Sequence, residues 1–205
     1  MSEAKPAARR QNVSYSLPIR VLHVLFALGI SLQLLLSTVM RQPRPGRVRS
    51  AYEALTFAVH EYVGLAVLAV LIAHWVLCVL GHAPRGLAHF FPWFSRERRA
   101  RLAAEVGDLL RLRLAEPERQ DAAAGALQGL GLVIASLLAV TGAFVYLGMA
   151  DDGTMSATTR SIRKVHTTLA PLMWGYLGIH IAAALAHVAA GHRSILAIFR
   201  LRGSG

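Results

Sequence analysis

The sequence predicts an all-α fold, an antiparallel up-and-down bundle of four transmembrane helices with an amphipathic interfacial helix in one connection. Three observations carry this. The chain is 55% hydrophobic with a mean hydropathy of +0.46, yet has a formal charge of +11. That combination suits apolar spans alternating with basic loops and conflicts with a soluble core. Four stretches, 21–40, 62–84, 122–150 and 165–192, lack Lys, Arg, Asp and Glu, and each reaches the roughly 20 residues that cross a bilayer as a helix. Finally, the N-terminus, the connection 85–119 and the C-terminal tail together hold 15 of the 22 Lys and Arg, against 7 on the opposite side. This bias places both termini in the cytoplasm of a multi-pass inner-membrane protein.

Residues 1–17 form a polar cytoplasmic tail. The first helix is expected at about 18–40, with Pro18 tolerated in its first turn. Lys5, Arg9, Arg10 and Arg20 precede it as in a signal peptide. The span is too long for such a segment, and no Ala-x-Ala site comes before Arg41-Gln42-Pro43, so a retained helix is expected. Pro43, Pro45 and Gly46 make a short linker, and the second helix runs from about 52 to 80, ended by Gly81 and Pro84. Phe90, Phe91, Trp93 and Phe94 then form an aromatic cluster suited to the headgroup level. After Ser95, a candidate N-cap, 96–114 carries Leu102, Val106, Leu109, Leu110 and Leu114 on one face and arginines on the other, the pattern of a helix lying on the inner leaflet. The third span, about 122–149, has no histidine and many small residues, among them Gly125, Gly129, Gly131, Ser136 and Gly142, which let helices approach closely. An outer loop leads to the fourth helix, about 161–190, and 193–205 is a second cytoplasmic tail. The four-helix domain thus occupies 18–192.

Histidines carry the chemistry. His166 and His180 are fourteen residues apart on the fourth span, so their rings project from nearly one face, about 21 Å apart along the axis. In an up-and-down bundle His60 lies at the depth of His166, and His23, on the oppositely directed first span, lies near the depth of His180. Ionisable residues inside a membrane mark function by default. Paired imidazoles at two depths suit two planar iron cofactors, each held by a neutral ring nitrogen from either side, the other nitrogen seeking a carbonyl or water. His74 also lies fourteen residues beyond His60, and spacing does not decide between His23 and His74 as the partner of His180. Taken singly, each histidine is more often a hydrogen-bonded polar residue between helices. Four at two matched depths shift that balance. Cys78 is the only cysteine, which excludes an internal disulfide, a Cys-x-x-Cys-His haem attachment and a thiolate cluster, and suits a small packed residue.

Leu22-His23-Val24-Leu25, Val59-His60-Glu61-Tyr62-Val63-Gly64, Lys164-Val165-His166-Thr167-Thr168-Leu169-Ala170 and Gly178-Ile179-His180 through His187 resemble the bacterial cytochrome b561 family. The resemblance extends to the wider group that includes the cytochrome b subunits of nickel-iron hydrogenases and formate dehydrogenases, and it covers nearly all four spans. It implies two non-covalent haem b groups per chain, with axial pairs His23–His180 and His60–His166. His74 departs from the family, where arginine is frequent at that position, and is assigned a cofactor-carboxylate neighbour or packing role. His187 is a candidate contact for such a carboxylate or for a quinone, as are Arg20, Arg163 and Lys164 for the carboxylates. His82, His89 and His192 are expected in loops or at the surface, and Trp75, Trp93 and Trp174 as interface or packing aromatics.

The function expected on this basis is electron transport across or within the membrane, exchanging electrons with the quinone pool, with no catalytic residue assigned. Two roles stay open within it: a free-standing cytochrome, superoxide being one donor used in the family, and an anchor subunit for a separate redox chain. The long basic connection resembles the anchor branch. A histidine-lined transporter for a divalent metal is a second class, set back because no carboxylate occupies mid-membrane. A structural anchor is the third. No nucleic-acid motif accompanies the basic charge, which concerns orientation and anionic lipid.

Overall fold

Three of the four long helices begin where a serine cap or a proline favours it. In the computed structural model, residues 16–81, 86–111, 113 and 122–200 are described. The expectations for the N-terminal segment 1–15, Arg85, His82, Pro84, Leu114 and residues 201–205 lie outside them. Helix α1, Leu17–Val39, has Pro18 in its first turn. Helix α2, Ala51–Val79, opens with a capping box in which Glu53 N–H donates to Ser50 Oγ and Ser50 N–H to the Glu53 carboxylate, both at 3.2 Å. Arg47 holds that carboxylate from the loop at 2.6 Å. Short α3, Leu87–Phe90, and a 3₁₀ turn, Pro92–Phe94, precede α4, Arg96–Leu110, with Ser95 as its N-cap. Helices α5, Ala122–Gly148, and α6, Ala157–Ala189, follow, and a 3₁₀ helix, Arg193–Phe199, ends the described chain.

Four of these helices, α1, α2, α5 and α6, are long and apolar enough to cross a membrane. The large exposed side chains agree: Leu28 is 66% exposed, Leu147 80% and Ile179 62%, a surface that lipid satisfies and water does not. Neighbouring helices run in opposite senses. Gly29 meets Val67 while Gly64 meets Gln33, and along α5 Gly148, Gly142 and Gly131 meet Thr159, His166 and Tyr176 of α6. Ile30, Leu34, Val67, Ile134, Ala135 and Met173, from all four helices, form the central packing.

The small residues of α5 are where other elements come closest. A methyl group on Gly125 or Gly129 would run into the backbone carbonyls of His89 and Phe90, so α3 lies directly against the start of α5. Trp75 joins the same region, its indole donating to Ser136 Oγ at 3.1 Å and stacking on Phe91 at 6.2 Å. Glu105 of α4 accepts the first two N–H groups of α5, at 3.3 and 2.7 Å, which places an anion on the positive end of the helix dipole. The basic connection is therefore packed onto the bundle end, while α4 itself buries no residue.

Three expectations change. His89, expected in a loop or at the surface, is 5% exposed, because Gly125 leaves the space its ring fills. Helix α6 starts at Ala157 rather than 161: Ser156 Oγ caps it, accepting Thr159 N–H at 3.1 Å, so its charged first turns are helical. Helix α4 ends at Leu110. The loop between α5 and α6 is closed by Asp152, which accepts both the N–H and hydroxyl of Thr154 at 2.8 Å. These bonds hold its carboxyl below the usual carboxylate range.

Gly129→Ala is expected to destabilise the detergent-solubilised protein by about 1–3 kcal/mol through overpacking. Gly178→Ala, which would enter open space, should be neutral or gain up to about 1 kcal/mol from helix propensity. Thermal unfolding followed by circular dichroism of the two variants checks the contrast.

Candidate functional site

His60 and His166 are each the tenth residue of their helices, α2 and α6. Because both helices run in the same sense, the two rings arrive at one level, with centroids 6.4 Å apart and planes at 84°. His166 Nδ1 lies 3.0 Å from the Leu138 carbonyl and 3.1 Å from Thr141 Oγ1. A carbonyl only accepts, so Nδ1 carries the proton and Nε2 keeps a free lone pair. Close packing of α5 makes this bond possible, since a side chain on Gly142 would lie 3.1 Å from the His166 ring. On the other side, His60 Nδ1 is buried with no hydrogen-bond partner among the described residues. The Gln33 amide donates to the His60 carbonyl at 2.6 Å and covers Gly64 at 3.1 Å, so the space over that glycine is filled by Gln33.

The second level is assembled differently. His23 Nδ1 is also buried without a partner among the described residues. Its ring makes an edge contact with Phe199, centroids 5.3 Å apart, and His180 stacks on Tyr176 at 5.6 Å. His23 and His180 are not in ring contact, yet His180 and His74 both lie near enough to act on His23 electrostatically. His74 meets Phe90 edge-on at 6.3 Å. His187 and His192 pair with each other, Nδ1 to Nδ1 at 3.1 Å. Arg163 donates to Gln42 at 3.0 Å and Arg20 to the Arg200 carbonyl at 2.5 Å. In each arginine Nε is buried without a partner among the described residues.

Among the described residues no group of three or more His, Cys, Asp and Glu is arranged to hold a metal ion. Two imidazoles per level nevertheless fit an iron already held by a porphyrin, which needs only axial nitrogens. His60 and His23 keep a ring nitrogen without a partner among the described residues, and His166 a bare Nε2, so the imidazoles are compatible with such a group. The 6.4 Å separation at the first level also leaves room for a metal with nitrogens at about 2 Å on either side.

Several contacts escaped the sequence reading. Gln33 carried a signal, since a polar amide among the apolar residues of a span marks a function or a partner. Leu138, Thr141, Tyr176 and Phe199 carried none, as each acts through a neighbour at least 25 residues away or through its backbone or ring. No curated protein and no solved structure matches the chain. The family described as Prokaryotic cytochrome b561 matches over residues 14–200, which takes in all four spans and every histidine of both levels. With four apolar helices, three of which carry the histidines, the chain belongs to the prokaryotic cytochrome b561 family: it is a multi-pass membrane cytochrome of the b type, a haem b protein of electron transfer.

Proposed function

We propose that the chain holds two haem b groups, one between His60 and His166 and one between His23 and His180, and carries electrons between the two faces of the membrane and the quinone pool. The observation that carries this reading is the outer pair: two imidazoles from separate helices at one level, with His166 locked by the Leu138 carbonyl in the tautomer that frees Nε2. Bound haem b supplies one-electron exchange between ferrous and ferric iron. The chain's own part is to fix ring orientation and exclude water. Fourteen residues of α6 separate its two ligands, roughly 21 Å of helix rise linking one side of the membrane to the other.

Arg163 and Arg20 lie at opposite ends of the bundle, each with a buried N–H left over. They are placed to neutralise the carboxylates of the two groups. Both termini and α4 face the cytoplasm on this reading, by the excess of Lys and Arg on that side. The basic face of α4 is the part best suited to a separate redox subunit, because the helix is anchored through Glu105 and buries no residue of its own.

Purified protein should contain two haems per chain by pyridine haemochrome, with a reduced-minus-oxidised spectrum of the b type. His60→Ala and His166→Ala should each lose one and the same haem, and His23→Ala and His180→Ala the other. His74→Ala should keep both. One haem per chain after full reconstitution rejects the pairing, and loss from His74→Ala with retention in His23→Ala moves the inner ligand to His74. A quinol that leaves the oxidised spectrum unchanged removes quinone from the reading.

Arg163→Gln removes a positive charge near the outer pair. Ferric haem carries one more positive charge than ferrous, so losing the cation favours the oxidised form. A lower midpoint potential for one haem only is expected in a redox titration.

A further inference from the structure

Helix α6 ends in a turn that brings two imidazoles together away from both cofactor levels. Ala190 is the C-cap and Gly191 follows with φ +86°, a left-handed conformation that glycine adopts without cost. His192 N–H then donates to the His187 carbonyl at 2.9 Å and Gly191 N–H to the Val188 carbonyl at 3.0 Å. This pair of bonds defines a Schellman motif, in which the two residues five apart ordinarily make a hydrophobic contact. Here that contact is between His187 and His192, with ring centroids 5.4 Å and Nδ1 atoms 3.1 Å apart. Both rings are half-buried, so they are reachable from the aqueous side.

From this geometry we infer that His187 and His192 chelate a divalent transition ion of the zinc, nickel or copper class at the end of α6. Two nitrogens on one tetrahedral ion at about 2.0–2.1 Å lie about 3.3 Å apart, and two adjacent ones in a square plane about 2.9 Å. The observed separation falls between these values. Imidazole selects this class of ion, whereas calcium and magnesium require oxygen ligands. Among the described residues no third His, Cys, Asp or Glu joins the pair in a metal-holding group, so on this inference the remaining positions go to water or a lipid phosphate. Arg193 is the one charged residue adjoining the pair in sequence. Its charge opposes a bound cation, so binding here rests on the two imidazole nitrogens alone.

Proton balance is simple. In the metal-free pair one Nδ1–H donates to the other Nδ1. For both Nδ1 atoms to give lone pairs to the ion, the donor ring passes to its Nε2–H tautomer through solvent, with no net proton release from two neutral rings. Neither residue is among the four assigned to haem, so the site stands apart from the pairing proposed above.

The test uses the haem-loaded protein in detergent and Zn²⁺, which ferrous haem does not reduce. Equilibrium dialysis with elemental analysis should give one Zn²⁺ more per chain than in His187→Gln or His192→Gln, whose haem content confirms folding. Gly191→Ala, which keeps both imidazoles but strains the turn, should weaken this site at least about tenfold, as loss of ligand-orienting support does elsewhere. In the unaltered protein, Zn²⁺ should protect His187 and His192 from diethyl pyrocarbonate, read by peptide mass. Equal Zn²⁺ content in the parent and both glutamine variants overturns the inference, as does equal modification with and without Zn²⁺. Unchanged affinity in Gly191→Ala overturns the role of the turn.

Discussion

Hydrocarbon offers no hydrogen bonds, so every ring nitrogen carried into it must find its partner inside the protein. The arrangement of this bundle depends on how that demand is met. An unsatisfied buried polar group costs on the order of 1–3 kcal/mol. At His166 the Leu138 carbonyl meets the demand for Nδ1, and by doing so it determines which nitrogen is left bare. Thr141, one turn further along α5, adds a second contact at the same atom. A single helix without histidines thereby decides the tautomer of an imidazole on its neighbour.

That role explains the composition of α5. Lipid removes the hydrophobic drive between helices, and association rests on close van der Waals approach. Gly131, Gly142 and Gly148 admit Tyr176, His166 and Thr159 of α6, while Gly125 and Gly129 admit α3. The bundle is thus organised around one small-residue helix that contacts both His166 and the segment α3 packed at its other end. Glu105 secures the start of that helix from α4, linking the amphipathic element to the redox core through one carboxylate.

Charge-free runs located all four spans, because a charge in hydrocarbon is expensive enough to leave a plain mark on sequence. Helical period then placed His166 and His180 on one face. Other features left weaker marks. The residues before 161 were expected in a loop, yet the Ser156 cap starts α6 at Ala157 and makes that turn helical. His89 is buried by Gly125, a partner 36 residues away that no local pattern reveals. The Arg193–Phe199 helix stands where a tail was expected: its Phe199 reaches the ring of His23 although the two are 176 residues apart. Long-range pairs of this kind depend on the tertiary path, which composition and periodicity do not encode.

The two histidine levels differ in what closes them. Around His60 and His166 the bundle itself does so, through Gln33, Leu138 and Thr141 on the long apolar helices. At the other level Phe199 lies against His23 on a short 3₁₀ helix that buries none of its own residues. That helix is held by the Arg20 bond to the Arg200 carbonyl and by the Gly191 turn where His187 meets His192. Elements with few buried contacts open at lower free energy than the core. The level of His23 is thus covered by the end of the described chain, whereas that of His60 and His166 is closed by the packed spans themselves.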